Sequence, residues 1–366
     1  MSSPAEQKQK GDSPFFSIGL TTYHRRELLQ EALRSIRAQT FEDFEVLVGN
    51  DYPAEVLSRE SLGIEDERIR IFNHSHNMGE VANMNDLLER SRGRYFTWLG
   101  DDDLYAPRFL EETGRAIREW DFPPSVFTSY EILPGLVQPP ISRPLATRRR
   151  CFSGPEFLRG YFSGETRVIG PYGVFETKWL REIGGIQPLC KNSAIGLFGE
   201  YGLLFRVSHL DRIIYVDAPL VYYRFHPACG ASHLKTEEVI LAGEELVRRS
   251  VEFLVSSRLR PDFSGNILAI FHLCTDHFYN KLFAEKGAVS WSEMSAYWRR
   301  LEGCLECLRG DPLHRCATLA LRRIKGMILW RMLKADFRKV VPAAVIQAAR
   351  RFRSMLFPRK SRPFWN

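Results

Sequence analysis

Tyr95-Phe96-Thr97-Trp98-Leu99-Gly100-Asp101-Asp102-Asp103-Leu104-Tyr105 is the stretch around which this chain is organised. Its apolar half reads as a buried strand. Its second half sets a glycine and three consecutive carboxylates at that strand's carboxyl end, where open α/β sheets present their ligand sites. Three adjacent like charges repel one another unless a cation neutralises them. Hard oxygen donors at a strand end suit Mg²⁺ or Mn²⁺, which commonly bridge protein carboxylates to substrate phosphates. A solvated acidic turn has the same composition, so the neighbouring strand ends must decide between the two.

Those neighbours alternate strand and helix. Residues 15–22 read as a first strand, followed by the turn Tyr23-His24-Arg25-Arg26. Leu28, Leu29, Ala32, Leu33 and Ile36 then recur at helical spacing. Residues 45–49 form a second buried strand ending at Asn50-Asp51, and residues 69–72 a third ending at Asn73-His74. A helix over about 81–91 stops near Gly93. This order predicts an α/β fold with a mainly parallel, doubly wound sheet. The ends of its strands at Thr22, Asp51, Asn73 and Asp101 are expected to converge on one crevice. Downstream, a helix is expected over 107–120 and strands over 125–130, 168–175, 213–216 and 220–223. The Pro- and Arg-rich segment 134–150 reads as a loop over the crevice. From about residue 236 strand signals disappear and helices are expected over 237–256, 263–285 and 292–308. The expected organisation is a disordered segment 1–14, a sheet domain 15–235 and a helical region 236–366.

Composition sets outer limits. The chain has 366 residues, 44% hydrophobic and 26% charged, ordinary for a globular protein. The net charge of +7 is unevenly distributed: residues 313–366 hold fourteen Lys/Arg and one acidic residue, Asp336. That segment is therefore +13 and the remainder −6, which points to an anionic surface as the tail's partner. Val345, Ala348, Ala349, Phe352, Met355 and Leu356 make an apolar stripe flanked by Arg350, Arg351 and Arg353. Such a basic amphipathic helix suits an anionic membrane surface, with Phe364-Trp365 at the interface, and no nucleic-acid partner is expected. Seven scattered cysteines fit a reducing compartment better than a disulfide framework. No segment reads as a signal peptide, and no apolar run approaches the ~20 residues of a spanning helix. The expected location is the cytoplasm, peripheral on the inner face of the plasma membrane.

Two-thirds of the chain resembles the family 2 glycosyltransferases, which have a GT-A fold. Thr22-Tyr23-His24-Arg25 matches the family's turn after the first strand, and Asp51 matches the aspartate that contacts the nucleotide base. Asn77-Met78-Gly79, Asn83, Asn85 and Gly93 match the segment leading to the next strand. Asp101-Asp102-Asp103 match the Asp-x-Asp signature, although Gly100 stands where many members carry aspartate. The metal ligand is then Asp102, or Asp101 and Asp103 as a pair. Further on, Gly184-Gly185 and Gly199-Glu200-Tyr201, with Leu203 and Arg206, match a second landmark. Aligned on Arg206, Glu200 takes the position of the family's catalytic aspartate. Tyr222-Tyr223-Arg224-Phe225-His226 resembles the closing Tyr-Arg-x-His segment.

The resemblance implies an inverting, metal-dependent transfer of one sugar from a nucleotide-sugar, expected to be a UDP-sugar. The acceptor would be a saccharide or lipid-linked molecule in bacterial surface polysaccharide synthesis. It implies a nucleotide site of Thr21, Thr22, Tyr23, Arg25, Asp51, Asn77, Gly79, Asn85 and Asp101. It further implies Mn²⁺ or Mg²⁺ on Asp102, Asp103 and His226, and Glu200 as catalytic base. The Gln-x-x-Arg-Trp element of processive members is missing from the expected region, which favours single addition. The chemistry explains the residue types. A cation neutralises the departing diphosphate, and a separate carboxylate takes the proton of the attacking hydroxyl. A sugar nucleotidyltransferase and a non-catalytic GT-A domain are the competing readings. The first usually carries a glycine-rich basic loop after strand one, and 22–26 does not.

Overall fold

The computed structural model describes residues 13–139, 147–189, 198–226 and 234–340. The expected amphipathic helix over 345–356 and Phe364-Trp365 lie outside them. The chain divides into two compact units, one of residues 1–157 with 166–233, the other of residues 158–165 with 234–366.

The first unit is built on a nine-stranded sheet. The elements up to the last strand are, in order, β1 (Phe16–Thr22), α1 (Arg26–Arg37), β2 (Phe44–Asn50), β3 (Ile69–Asn73), α2 (Glu80–Arg90), β4 (Tyr95–Gly100), β5 (Leu104–Tyr105), α3 (Phe109–Glu119), β6 (Ser125–Pro134), β7 (Arg148–Phe152), α4 (Gly154–Ser163, of which residues 158–163 belong to the second unit), β8 (Val174–Glu176), α5 (Thr177–Glu182), α6 (Gly199–Val207) and β9 (Ile213–Phe225). The strand order is β3-β2-β1-β4-β8-β6-β9-β5, with β7 also on β9. β1, β2, β3 and β4 run parallel, while β8 is antiparallel to both β4 and β6. This is the mostly parallel, helix-flanked sheet of the GT-A fold. β1, β2 and β4 are buried almost end to end, as strands covered on both faces must be. α1 covers one face with Leu29, Ala32, Leu33 and Ile36, spaced along a single helical stripe. In register, Thr22 lies beside Asn50, Thr21 beside Gly100, and Asn50 beside Asn73. The carboxyl ends of β1 to β4 therefore do converge.

Several expectations change. Segment 134–150 was expected as a loop, yet β6 runs on to Pro134 and residues 148–152 pair with β9 as β7. Arg149 is held there by Glu112 and Glu119, so this basic run is part of the scaffold. The strands expected at 213–216 and 220–223 are one strand, β9. Pro219 lacks an N–H, and the register with β6 shifts around it between Thr128 and Tyr130. The strand expected over 168–175 is only the three residues of β8, preceded by a 3₁₀ turn at Gly170–Tyr172.

The second unit is helical: α7 (Thr236–Leu254), α8 (Phe263–Lys286), α9 (Trp291–Gly303) and α10 (Pro312–Val340). Ile267, Ile270 and Phe271 of α8, Tyr297 and Leu301 of α9, and Leu321, Ile324 and Ile328 of α10 are buried in it. Among the described residues no helix is long and apolar enough to cross a membrane.

One buried carboxylate ties the first three segments of the sheet. Glu45 of β2 accepts hydrogen bonds from the Ser17 hydroxyl at 2.8 Å, the Arg92 backbone N–H at 2.6 Å and the Arg70 guanidinium at 3.0 Å. Burial opposes its ionisation, and these donors outweigh burial and hold it below the usual glutamate value of 4.5. Its stabilisation is thus complete above the unfolded value and is lost as pH falls through the lower folded one. Glu45→Gln should cost about 1–3 kcal/mol near neutral pH. In thermal melts across pH, its gap to wild type should close as pH falls below the usual glutamate value of 4.5; a constant gap would show that the charge contributes nothing.

Candidate active site

The acidic triplet is divided among three environments. Asp101 is buried; it accepts the Thr22 hydroxyl at 2.7 Å and Arg25 Nη1 at 3.2 Å. Asp103 is buried too: one oxygen accepts the backbone N–H of Arg224 at 2.8 Å, the other the hydroxyl of Tyr172. Asp102 alone reaches the cleft surface. Its Oδ2 lies 2.9 Å from Arg25 Nη1 and 3.3 Å from His226 Nε2. Burial, then the charge of Asp102, pushes Asp101 up to about 7 and raises Asp103 as well.

Arg224 underpins the group. It is fully buried in β9, donates from Nε to the Asp102 carbonyl and pairs through Nη1 with Glu31 of α1. Gly100 explains why aspartate is not found there. A side chain at that position would bring its Cβ to 2.9 Å from both Asp102 Oδ1 and the Tyr172 hydroxyl. The Gly100 N–H donates to that hydroxyl at 3.3 Å.

The 3₁₀ turn joins the triplet to the candidate base. Tyr172 closes the turn on Asp103, and at its other end the Gly170 N–H donates to the Glu200 carboxylate. Gly170 and Glu200 touch: a Cβ on Gly170 would lie 3.1 Å from that of Glu200. Glu200 is half-buried at the first turn of α6, and its carboxyl group is enclosed. Burial pushes it up to about 7, opposed by the Gly170 N–H. Its charge also reaches Tyr130, whose ring carries Arg167 with the guanidinium carbon 5.3 Å from the centroid.

The proposed nucleotide residues fall into two groups. Thr22, Arg25 and Asp101 form the hydrogen-bonded edge just described. Asp51 is buried and accepts the N–H groups of Met78 at 2.8 Å and Gly79 at 2.9 Å, which draws the 77–79 loop against the end of β2. Asn77 also accepts from Gly79, whose φ of 85° suits glycine. Tyr23 is exposed and packs edge-on to Tyr52 at 5.3 Å, with the His24 ring 4.3 Å from Tyr52. Thr21 sits in β1 beside Gly100. Asn85 belongs elsewhere: its amide donates to the Ile186 carbonyl at 2.8 Å and accepts the Ile186 N–H at 3.0 Å, pinning the Gly184-Gly185 turn. Asn83 likewise bonds the Gly49 carbonyl at 2.9 Å.

Among the described residues no three His, Cys, Asp or Glu side chains are grouped to hold a metal ion by themselves. Asp103, expected among the ligands, has both oxygens engaged inward. A cation here would be held by Asp102 with His226 beside it, and substrate phosphates and water would have to complete its shell.

A parallel sheet with carboxylates at one strand end and a separate carboxylate on a following helix is the arrangement of a GT-A glycosyltransferase. Residues 17–130, about a third of the chain, match the sequence model described as Glycosyl transferase family 2. An uncharacterized glycosyltransferase of Rickettsia felis is 26% identical over 229 residues, 60% of this chain and 36% of that protein. The GalNAc(5)-diNAcBac-PP-undecaprenol beta-1,3-glucosyltransferase of Campylobacter jejuni is 33% identical over 93 residues, 25% of this chain and 30% of that one. The chain thus spans about a third of the length of these curated relatives. Residues 1–349 of S. aureus TarS superpose with a TM-score of 0.59 at 16% identity, over 90% of this chain and 92% of that one. The complex of that fragment with UDP-GlcNAc gives 0.58 at 17% identity, over 84% and 88%.

Tyr172 was not foreseen as a site residue, and Arg224 was placed only within a motif. Tyr172→Phe leaves one Asp103 oxygen buried without its donor. It should lower stability by about 1–3 kcal/mol in urea denaturation, and an unchanged midpoint would show that the hydroxyl is dispensable.

Proposed function

We propose that this chain transfers one sugar from a UDP-sugar to a saccharide or lipid-linked acceptor with inversion at the anomeric carbon. The observation that carries this reading is the 3₁₀ turn that contacts Glu200 at one end and the triplet at the other. It sets an isolated carboxylate close to, yet apart from, the cluster suited to a diphosphate. TarS, a fold neighbour, was crystallised with UDP-GlcNAc, and the Campylobacter relative is named for an undecaprenol-linked acceptor. Both support this donor and acceptor chemistry, and bacterial surface polysaccharide synthesis as the setting.

In this reading Tyr23 and Tyr52 flank the nucleobase beside Asp51, while Thr21, Thr22, Asn77 and Gly79 line the nucleotide's path. Arg25 faces the diphosphate from the other side of the triplet. A divalent cation, Mn²⁺ or Mg²⁺, on Asp102 and His226 would neutralise charge on the leaving diphosphate. Glu200 accepts the proton of the acceptor hydroxyl as its oxygen attacks the anomeric carbon and the bond to the diphosphate breaks. Tyr130 and Arg167, beside Glu200, lie on the acceptor side. A base must be ionised to act, and burial places Glu200 near 7.

Glu200→Gln should lower kcat by about 10²–10⁴-fold, the usual contribution of a general base, with UDP affinity unchanged. Wild-type kcat/KM should rise with pH and level off above about 7, and that limb should vanish in the variant. Full activity in Glu200→Gln would remove the base assignment. Asp102→Asn should abolish the gain in UDP affinity that Mn²⁺ gives over EDTA in calorimetric titration; a wild-type affinity indifferent to metal would overturn the cation's place here.

A further inference from the structure

The outer face of α10 carries none of the residues placed in the site above, and it is unlike an ordinary solvated face. Ala317, Ala320, Leu321, Ile324, Ile328 and Met332 are buried on the inner side of this helix. At about 100° per residue, the exposed positions fall on one continuous sector of about 160° opposite them. Down its middle run Leu319, Trp330 and Leu333, exposed by 52%, 67% and 52%, with Gly326 between. Met327 and Leu329 are also exposed, at the two margins. Between midline and margins stand Arg315 and Arg322 on one side and Arg323 and Lys334 on the other, all exposed. Among the residues whose side chains are described, up to 335, the sector contains no acidic residue.

An apolar ridge between two cationic flanks has a specific chemistry. A purely polyanionic partner such as nucleic acid is served by the cations but leaves Leu319, Trp330 and Leu333 in water. A second copy of the same face would bring like charges together along its whole length. An anionic bilayer answers both features: acyl chains take the ridge, and phosphate headgroups take the flanking Arg and Lys. Tryptophan is favoured at that depth, where its apolar body and polar N–H meet different media. Lys and Arg stems reach along the apolar boundary with their charges at the headgroups. Since no described helix can span a membrane, such a contact lies along the surface.

We propose that α10 docks this unit on an anionic lipid surface, lying in the interface with the Leu319–Trp330–Leu333 ridge inserted. The inference does not depend on the transfer reaction. It also differs from the amphipathic pattern at 345–356, since its residues belong to a helix packed on α8 and α9.

The test is co-sedimentation of the full chain with phosphatidylcholine vesicles, with and without phosphatidylglycerol. Wild type should pellet with the phosphatidylglycerol vesicles and be released by high salt. Leu319→Ser/Trp330→Ser/Leu333→Ser and, separately, Arg322→Glu/Arg323→Glu should each lower partitioning at least about tenfold, since near an anionic surface each cation matters at this level. Unchanged thermal melting and UDP binding would show that both variants remain folded. Failure of wild type to bind, or binding by both variants equal to wild type, would overturn the proposal; the latter would assign the contact to residues beyond 340. Displacement of wild type from vesicles by single-stranded DNA, with tighter binding to that DNA, would replace the bilayer with nucleic acid.

Discussion

Crowding three carboxylates onto consecutive residues at a strand end is unfavourable unless each finds its own donor, and the sheet unit is arranged around this constraint. Thr22 comes from the adjacent strand, Arg25 from the start of α1, Tyr172 from the 3₁₀ turn and Arg224 from β9. Four separate segments thus meet at one point, which is possible because the parallel register of β1 and β4 brings their carboxyl ends level. The result is selective. Two carboxylates are buried among donors and held above their usual range, and the third is left at the surface. Such a division leaves one carboxylate at the surface, held between Arg25 and His226, where three solvated aspartates would give a diffuse negative patch.

The same constraint explains the buried Arg224. A buried guanidinium is costly unless it is paired, and here Glu31 meets Nη1 and the Asp102 carbonyl meets Nε. The arginine thereby connects α1, β9 and the triplet. Its backbone N–H also reaches Asp103. One residue contributes both a charge and a main-chain donor to the same three-residue segment, so the geometry of Asp102 depends on how β9 enters the sheet.

Much of the sheet and the triplet's location were legible in the sequence, because period and strand-end chemistry are local. β1, β2 and β4 are apolar runs bounded by polar turns, and α1 shows its stripe directly. What escaped notice depends on distant pairing. Arg148-Arg149-Arg150 looks like a basic loop until Glu112 and Glu119 are seen to neutralise Arg149. Asn85 looks like a ligand-facing amide within a motif until Ile186, a hundred residues on, is found to satisfy it on both sides. Tyr172 had a local signal that was available: Pro171 in Gly170-Pro171-Tyr172-Gly173 cannot donate to a ladder and argues against a strand. The turn was legible there, but its partner Asp103, 69 residues earlier, was not.

The glutamate at position 200, rather than a shorter aspartate, is accommodated by a second feature of this chain. A glutamate reaches one methylene further, so its helix must stand back or its neighbour must be small. Gly170 supplies the small neighbour: with no Cβ, the turn approaches the backbone of Glu200 to within ordinary contact, and its N–H meets the carboxylate. An alanine at 170 would press on the Glu200 Cβ from 3.1 Å and push α6 and the turn apart. That same turn ends in Tyr172, whose hydroxyl holds Asp103. A displacement at Glu200 would therefore be passed to the triplet through the 3₁₀ turn that contacts both. Gly100, Gly170 and Glu200 are thus linked through the one turn that ends in Tyr172.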